Sequence, residues 1–393
     1  MELLKCVKRY STIFVVDSVA LIGLFYLWNW EYRHLVQAMS LYCIGGTYLY
    51  CRLKAREKIS PNQAIVVTGC DSGLGYSLAL HCRQLGATVI ASVLHIDGTG
   101  AKQLEKEGVL VYPLDVTKTK SIENFTDSVR MVLNKQKLVL RCLINNAAVM
   151  IFGEFEWQTD EQLMHQVEVN FLGTMRVTRG LLSTIRAHFS RIIVISSHCN
   201  IQPIPGVAAY SGTKAALSAW ATAIRLELKK YGVKVVCFIP GSFVGESNIL
   251  ARQAEHFETM KRSISAEVET FYGDYFARYS QYFSSVAQGT NLKKLKDVGV
   301  YEVFEGALLD KYPSAVYKNE SWRYFIYHAL FAVTPTWLRD LLVQKFVQGP
   351  SWTEKVVAGP STVSKLQKSQ EDASKSLNLE NKSEDKDKTL EKF

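Results

Sequence analysis

The chain has 393 residues, 48% of them hydrophobic and 21% charged, enough for one large domain or two ordinary ones around a sizeable core. Its formal net charge of +9 is spread along the sequence with no arginine-rich run carrying interleaved aromatics, which argues against nucleic acid and suits anionic lipid as a partner. None of the eight cysteines forms a CxxC pair, which argues against a zinc or thioredoxin-type motif; several lie in apolar strand-like runs, the setting of a reduced thiol in a cytosol-facing domain.

Residues 1–60 read as a membrane anchor. A nearly continuous apolar run at 12–30, broken by Asp17, precedes an uncharged apolar run at 35–51, with Glu31, Tyr32, Arg33 and His34 between them. Each run reaches the lower limit for a helix that crosses a bilayer, about 17–25 residues. Lys5, Lys8 and Arg9 lie before the first run, and Arg52, Lys54, Arg56 and Lys58 lie after the second. Positive charge at both outer ends predicts a hairpin with both ends cytoplasmic. A cleaved signal peptide fits poorly, because no small-residue cleavage site follows the first run.

From 61 to about 300 the spacing predicts a doubly wound, Rossmann-type α/β domain. Short apolar runs at 64–68, 88–92, 109–113, 140–144, 191–196 and 234–239 read as strands buried on both faces of a parallel sheet. Longer segments between them, such as 74–85 and 215–231, have helical spacing.

The first strand runs into Thr68-Gly69-Cys70-Asp71-Ser72-Gly73-Leu74-Gly75, and a helix begins there. Glycines at 69, 73 and 75 let the backbone turn tightly and approach a pyrophosphate, which the helix N-terminus then attracts. Asn145-Asn146-Ala147-Ala148 follows the fourth strand, Asn170 stands alone further on, and Ile195-Ser196-Ser197 ends the fifth. Thirteen residues beyond Ser197 comes Tyr210, with Lys214 four residues later on the same helical face. A neighbouring ammonium favours the phenolate, so this pairing predicts a tyrosine usable as an acid/base nearer neutral pH. His198 reads as a pocket-lining residue, and the sequence shows no metal constellation. Asp71 in the glycine turn and Asp97 after the second strand, with no Lys or Arg in 93–98, predict NAD over NADP, because a carboxylate repels a 2′-phosphate.

Beyond Pro240-Gly241, residues Phe257, Met260, Ile264, Val268, Phe271, Tyr275 and Tyr279 recur at intervals of three or four. They predict one continuous apolar helical face, either packed on the core or covering the nicotinamide end of the cleft, with Phe271 and Tyr275 against substrate. Residues 301–350 read as an extension facing substrate and membrane, in which the apolar segment 325–346 forms a second wall. The tail, 351–393, is dominated from 361 by Ser, Lys, Glu, Asp and Asn, and is expected to be disordered.

Taken together, T-G-x-x-x-G-x-G, N-N-A, the lone Asn, the Ser, Y-x-x-x-K and Pro240-Gly241 resemble, in order and spacing, the short-chain dehydrogenase/reductase family. The phrases Gly69-Cys70-Asp71-Ser72-Gly73, Val93-Leu94-His95-Ile96-Asp97-Gly98 and Arg225-Leu226-Glu227-Leu228 resemble its membrane-bound branch of hydroxysteroid (type 2 17β- and 11β-), retinol and 3-hydroxybutyrate dehydrogenases. The resemblance implies a tetrad. Tyr210 exchanges the substrate proton, Lys214 binds the nicotinamide ribose, Ser197 holds the substrate oxygen, and Asn170 positions a water. It implies cofactor contacts from Thr68 to Gly75 and from Asp97, Asp115, Val116, Asn146, Ala147, Pro240 and Gly241. Two positions depart from the family pattern: Ala148 replaces a glycine, and Gly245 replaces a threonine whose part Ser242 or Ser247 would take. The expectation is an NAD-linked alcohol or carbonyl oxidoreductase acting on a lipophilic, steroid- or retinoid-type substrate, with a short hydroxyacid dehydrogenase or a silent scaffold as rivals. Membrane lipid, and a second copy in a homodimer or homotetramer, are the expected partners. The expected location is the endoplasmic reticulum membrane with the domain facing the cytosol, or alternatively a mitochondrial membrane.

Overall fold

The computed structural model describes residues 42, 45–46, 55–241, 248–286, 292, 294–347 and 349–352. Both N-terminal apolar runs, apart from residues 42 and 45–46, lie outside the described residues, as do Ser242, Gly245, Ser247 and the tail beyond 352. Among the described residues, no helix is long and apolar enough to cross a membrane.

Six strands follow the predicted order: β1 (Gln63–Val67), β2 (Thr88–Val93), β3 (Leu110–Pro113), β4 (Val139–Asn145), β5 (Arg191–Ile195) and β6 (Lys234–Ile239). The helices between them are α1 (Gly73–Gln84), α2 (Thr99–Lys106), α3 (Thr119–Lys135), α4 (Asp160–Val167), α5 (Thr174–Gly180), α6 (Leu182–Ala187) and α7 (Ala208–Lys229). With a seventh strand, β7 (Val316–Lys318), all strand pairs are parallel, in the order β3-β2-β1-β4-β5-β6-β7. The chain therefore winds outward from β1 in one direction and from β4 in the other. The loops that follow β1 and β4 part at that switch and leave a crevice at the carboxyl ends of the strands.

Alternate residues of each strand feed opposite faces of the sheet. Ile65, Val67, Cys142 and Ile144 pack under α1 and α2, whereas Ala64, Val66, Leu140 and Leu143 pack against α3 and α7. Burial on both faces explains why these strands read as unbroken apolar runs rather than alternating ones.

The seventh strand, β7 (Val316–Lys318), pairs with β6 and lies past the expected domain boundary at 300. The helix before it, α11 (Val298–Leu309), buries Val300, Phe304 and Leu308 in the same core as β1 and α1. Buried Arg191 of β5 donates to the carbonyls of Ala307 (2.6 Å) and Asp310 (2.7 Å). A boundary at 300 would cut through α11, so the sheet domain runs on to β7.

The segment read as one continuous helical face is three helices: α8 (Gln253–Ser263), α9 (Ala266–Tyr272) and α10 (Tyr275–Val286). Ser265 starts α9 by accepting from the Val268 amide, and Gly273 ends it with φ +55°. Phe257, Met260, Tyr275, Tyr279 and Phe283 form a third core with Trp157, Val207 and Tyr210. Beyond β7 follow α12 (Trp322–Val333) and α13 (Thr336–Val347).

Candidate active site

A cavity of about 530 Å³ opens at the carboxyl end of the sheet, the size of an ordinary cofactor or ligand site. Its floor is the glycine turn. Gly69 and Gly73 have φ of +70° and +58°, which favour glycine. A Cβ on Gly75 would collide with the Gly69 carbonyl oxygen and the Asn146 amide. Ser72 precedes α1 without a side-chain capping bond, so its hydroxyl occupies none of the first-turn amides. These amides and the close backbone form a cradle for a pyrophosphate, and a dinucleotide fits the residues present.

Thr68 and Asn146 build that cradle, and Asn146 also lines the cavity. The Thr68 hydroxyl accepts from the Asn146 and Ala147 amides at 3.0 and 3.1 Å. The Asn146 side chain donates back to the Thr68 and Gly69 carbonyls, both at 2.9 Å. Asp71 lines the cavity, and its carboxylate accepts from the backbone of Leu94 and His95. It thereby ties the turn to the end of β2. Asp115 and Val116 line the adjoining wall. Burial raises the Asp115 pKa, but hydrogen bonds from Thr117 and the Lys118 ammonium outweigh it and hold the carboxyl below its usual range. Asp97, expected in this group, is exposed and does not line the cavity; it lies on the open side of the loop after β2.

Ser197, Tyr210 and Lys214 line the cavity beside Pro240 and Gly241. Tyr210 and Lys214 lie on α7, which begins seven residues before the predicted helix, and Ser197 follows β5. Lys214 is 2% exposed, donates to the Ile195 carbonyl at 3.1 Å, and lies 5.6 Å from the centre of the Tyr210 ring. Burial lowers its pKa to about 8, against the pull of Cys237 and Cys199. Burial likewise pushes Tyr210 above the usual phenol range, helped by Cys199 and opposed by a hydrogen bond from Ser197. The expected lowering of Tyr210 by Lys214 is thus absent in the chain by itself. Both groups are desolvated, and burial is the largest influence on each.

Asn170 lies in a π-helical turn, Glu168–Gly173, and is fully buried behind the cavity. Its Oδ1 accepts from the Val149 amide at 2.8 Å, and its Nδ2 donates to the Val149 carbonyl (2.9 Å) and Thr213 Oγ1 (3.1 Å). Its side chain locks the loop after β4 to α7. Ala148 lines the cavity. The described non-glycine residues with positive φ are Lys137 and Phe189, so the alanine there needs no unusual backbone angle.

Phe271 and Tyr275 do not line the cavity. Phe271 is exposed and stacks on Trp352, and Tyr275 is buried against Trp157 with its hydroxyl donating to Glu154 at 2.8 Å. The Tyr275 ring on α10 is spent on the third core, and the Phe271 ring on α9 is spent on the Trp352 stack, so the cavity wall is built without them. The apolar half of the cavity comes instead from Met150, Phe152, Val207 and Ile249, and from Tyr324, Tyr327, Phe331 and Val343 of α12 and α13. Tyr324 and Val343 carry no distinguishing signal in the sequence. The structure also brings His198, Glu320 and His328 together at this end, a grouping that the sequence, with 121 residues between the first two, does not reveal.

The family model described as short chain dehydrogenase matches residues 63–256. Estradiol 17-beta-dehydrogenase 2 of Mus musculus is 33% identical over 300 residues, which cover 72% of this chain and 74% of that protein. Retinol dehydrogenase 16 of Mus musculus is 29% identical, over 78% of this chain and 96% of its own. The mitochondrial D-beta-hydroxybutyrate dehydrogenase of Mus musculus is 32% identical, over 48% of this chain and 56% of its own. With its glycine cradle and its Ser197, Tyr210 and Lys214 gathered at one cavity, the chain belongs to the short-chain dehydrogenase family and is an oxidoreductase that acts on CH–OH groups with a nicotinamide dinucleotide.

Proposed function

We propose that the chain is an NAD-dependent dehydrogenase that interconverts an alcohol and a carbonyl on a lipophilic, steroid- or retinoid-type substrate. One observation carries this reading. Ser197 and Tyr210 line a single cavity that runs from the glycine cradle to a wall of Phe152, Ile249, Phe331 and Val343. Bound NAD supplies the hydride acceptor. Tyr210 exchanges a proton with the substrate oxygen through its hydroxyl, and Ser197 donates a hydrogen bond to that same oxygen. Lys214, which lines the same cavity, would hold its positive charge beside the ribose of a bound nicotinamide nucleotide. Asn170 serves as a positioning residue, because its amide fixes α7 through Thr213.

Lys214 is the single Lys or Arg among the described residues that line the cavity, which also carries Asp71 and Asp115. That charge pattern favours NAD over a cofactor bearing a 2′-phosphate. The apolar wall also suits a lipophilic substrate better than a short hydroxyacid. Membrane attachment through residues 12–51 belongs to the same reading. Trp322, Phe325, Ile326, Leu330, Val333 and Trp337 are exposed on α12 and α13, while Tyr324, Tyr327 and Phe331 of α12 line the cavity. This supports substrate entry from the bilayer, with the two helices as a portal.

The test is turnover by the purified full chain on a panel of sterols, retinoids and 3-hydroxybutyrate, with NADH formation followed by fluorescence. Oxidation of a sterol or retinol with NAD, at a higher kcat/KM than with NADP or with the hydroxyacid, is the expected result. Turnover confined to the hydroxyacid would overturn the substrate class.

A further inference from the structure

The loop after β5 meets the start of α12 at three side chains that the dehydrogenase chemistry does not use. His198, Glu320 and His328 place one ligand atom each within 4.8 Å of one another. Glu320 Oε1 lies 2.7 Å from His328 Nδ1 and 3.6 Å from His198 Nδ1. On a tetrahedral zinc with bonds of about 2.0–2.1 Å, two ligand atoms stand about 3.3 Å apart, so these separations straddle the required value. All three side chains are mostly buried, and the ring nitrogens of His198 are engaged loosely, by Glu320 Oε1 at 3.6 Å and by the Asn319 backbone. Buried polar atoms ordinarily have close partners, so His198 has capacity left for a ligand.

We infer that His198, Glu320 and His328 form a binding site for a divalent cation of the zinc class in the wall of the substrate cavity. Two imidazoles and one carboxylate suit zinc, and three protein ligands leave a fourth position open. His198 and His328 both line the cavity, so that position is reachable from it. The opposing cation is Lys318, 3.9 Å from Glu320 Oε1; its side chain is 39% exposed and has room to withdraw. Cys199, adjacent in sequence, is the competing soft ligand.

The test uses the full chain in detergent, titrated with Zn²⁺ alone and assayed for metal content after dialysis. One zinc per chain is expected, bound at least about tenfold more weakly by His328→Asn and by Glu320→Gln. No stoichiometric binding, or unchanged binding in both variants, would overturn the site. Cobalt gives a second reading that does not depend on the variants. The wild-type chain should show the intense visible bands of a four- or five-coordinate ion. The weak spectrum of a six-coordinate ion, or a sulfur-to-cobalt band that points to Cys199, would overturn it.

Discussion

Lys214 concentrates the electrostatics of the site in one side chain. It is buried and its pKa is drawn down to about 8, whereas the unfolded chain leaves it at the ordinary lysine value of 10.5. Between those values the unfolded state binds more protons than the native state, so stability rises as pH rises through that window and is lower below it. Replacing Lys214 with Met removes the buried charge and keeps the stem. We predict that Lys214→Met is more stable than wild type at pH 7, by an amount on the order of 3 kcal/mol. The gap should close between pH 8 and 10.5 in urea titrations with unchanged slope. A variant less stable than wild type at pH 7 would show that the ammonium is satisfied in place. Lys214 was legible in the sequence through its spacing from Tyr210, but its effect on that tyrosine was not. Spacing fixes which residues meet, and burial decides which charge state they favour. Asp97 makes the same point: its sequence position suits a ribose contact, and the loop after β2 turns it to solvent.

At the scale of elements, the strands were readable because each is buried on both faces, and β7 was not because it has three residues, with Tyr317 alone buried. The helices after β6 show where periodicity misleads. Intervals of three and four persist from Phe257 to Tyr279, yet Ser265 and Gly273 break the segment into three helices that share one core. That packing yields opposite expectations for two neighbours. Phe271→Ala, at an exposed stack, should leave both stability and substrate KM within error of wild type. Tyr275→Ala removes a buried ring and should cost about 3 kcal/mol, read as a lower urea midpoint with unchanged slope. A raised substrate KM in Phe271→Ala would restore a substrate-facing role to α9.

For the whole molecule, the proposed membrane attachment rests on where the cavity opens. The described residues contain no crossing helix, while α12 and α13 expose aromatic side chains beside the cavity mouth. The full chain should stay with membranes after a carbonate wash, and a chain that begins at Ser60 should be released by it. A full chain that is soluble without detergent would remove the anchor and leave the portal without a bilayer. The cavity was legible in outline, because the glycine turn, Asn145-Asn146-Ala147, Ser197 and Pro240-Gly241 follow the carboxyl ends of strands and the Tyr210/Lys214 pair on α7 faces them across the cavity. Its apolar half was not, because α12 and α13 supply it through tertiary packing. The central claim is that Tyr210 exchanges the substrate proton, and Tyr210→Phe tests it most directly by removing one hydroxyl and little else. With the best substrate of the panel, kcat should fall by at least ~10² while NAD affinity and thermal midpoint hold. Turnover at the wild-type rate in that variant would contradict the account.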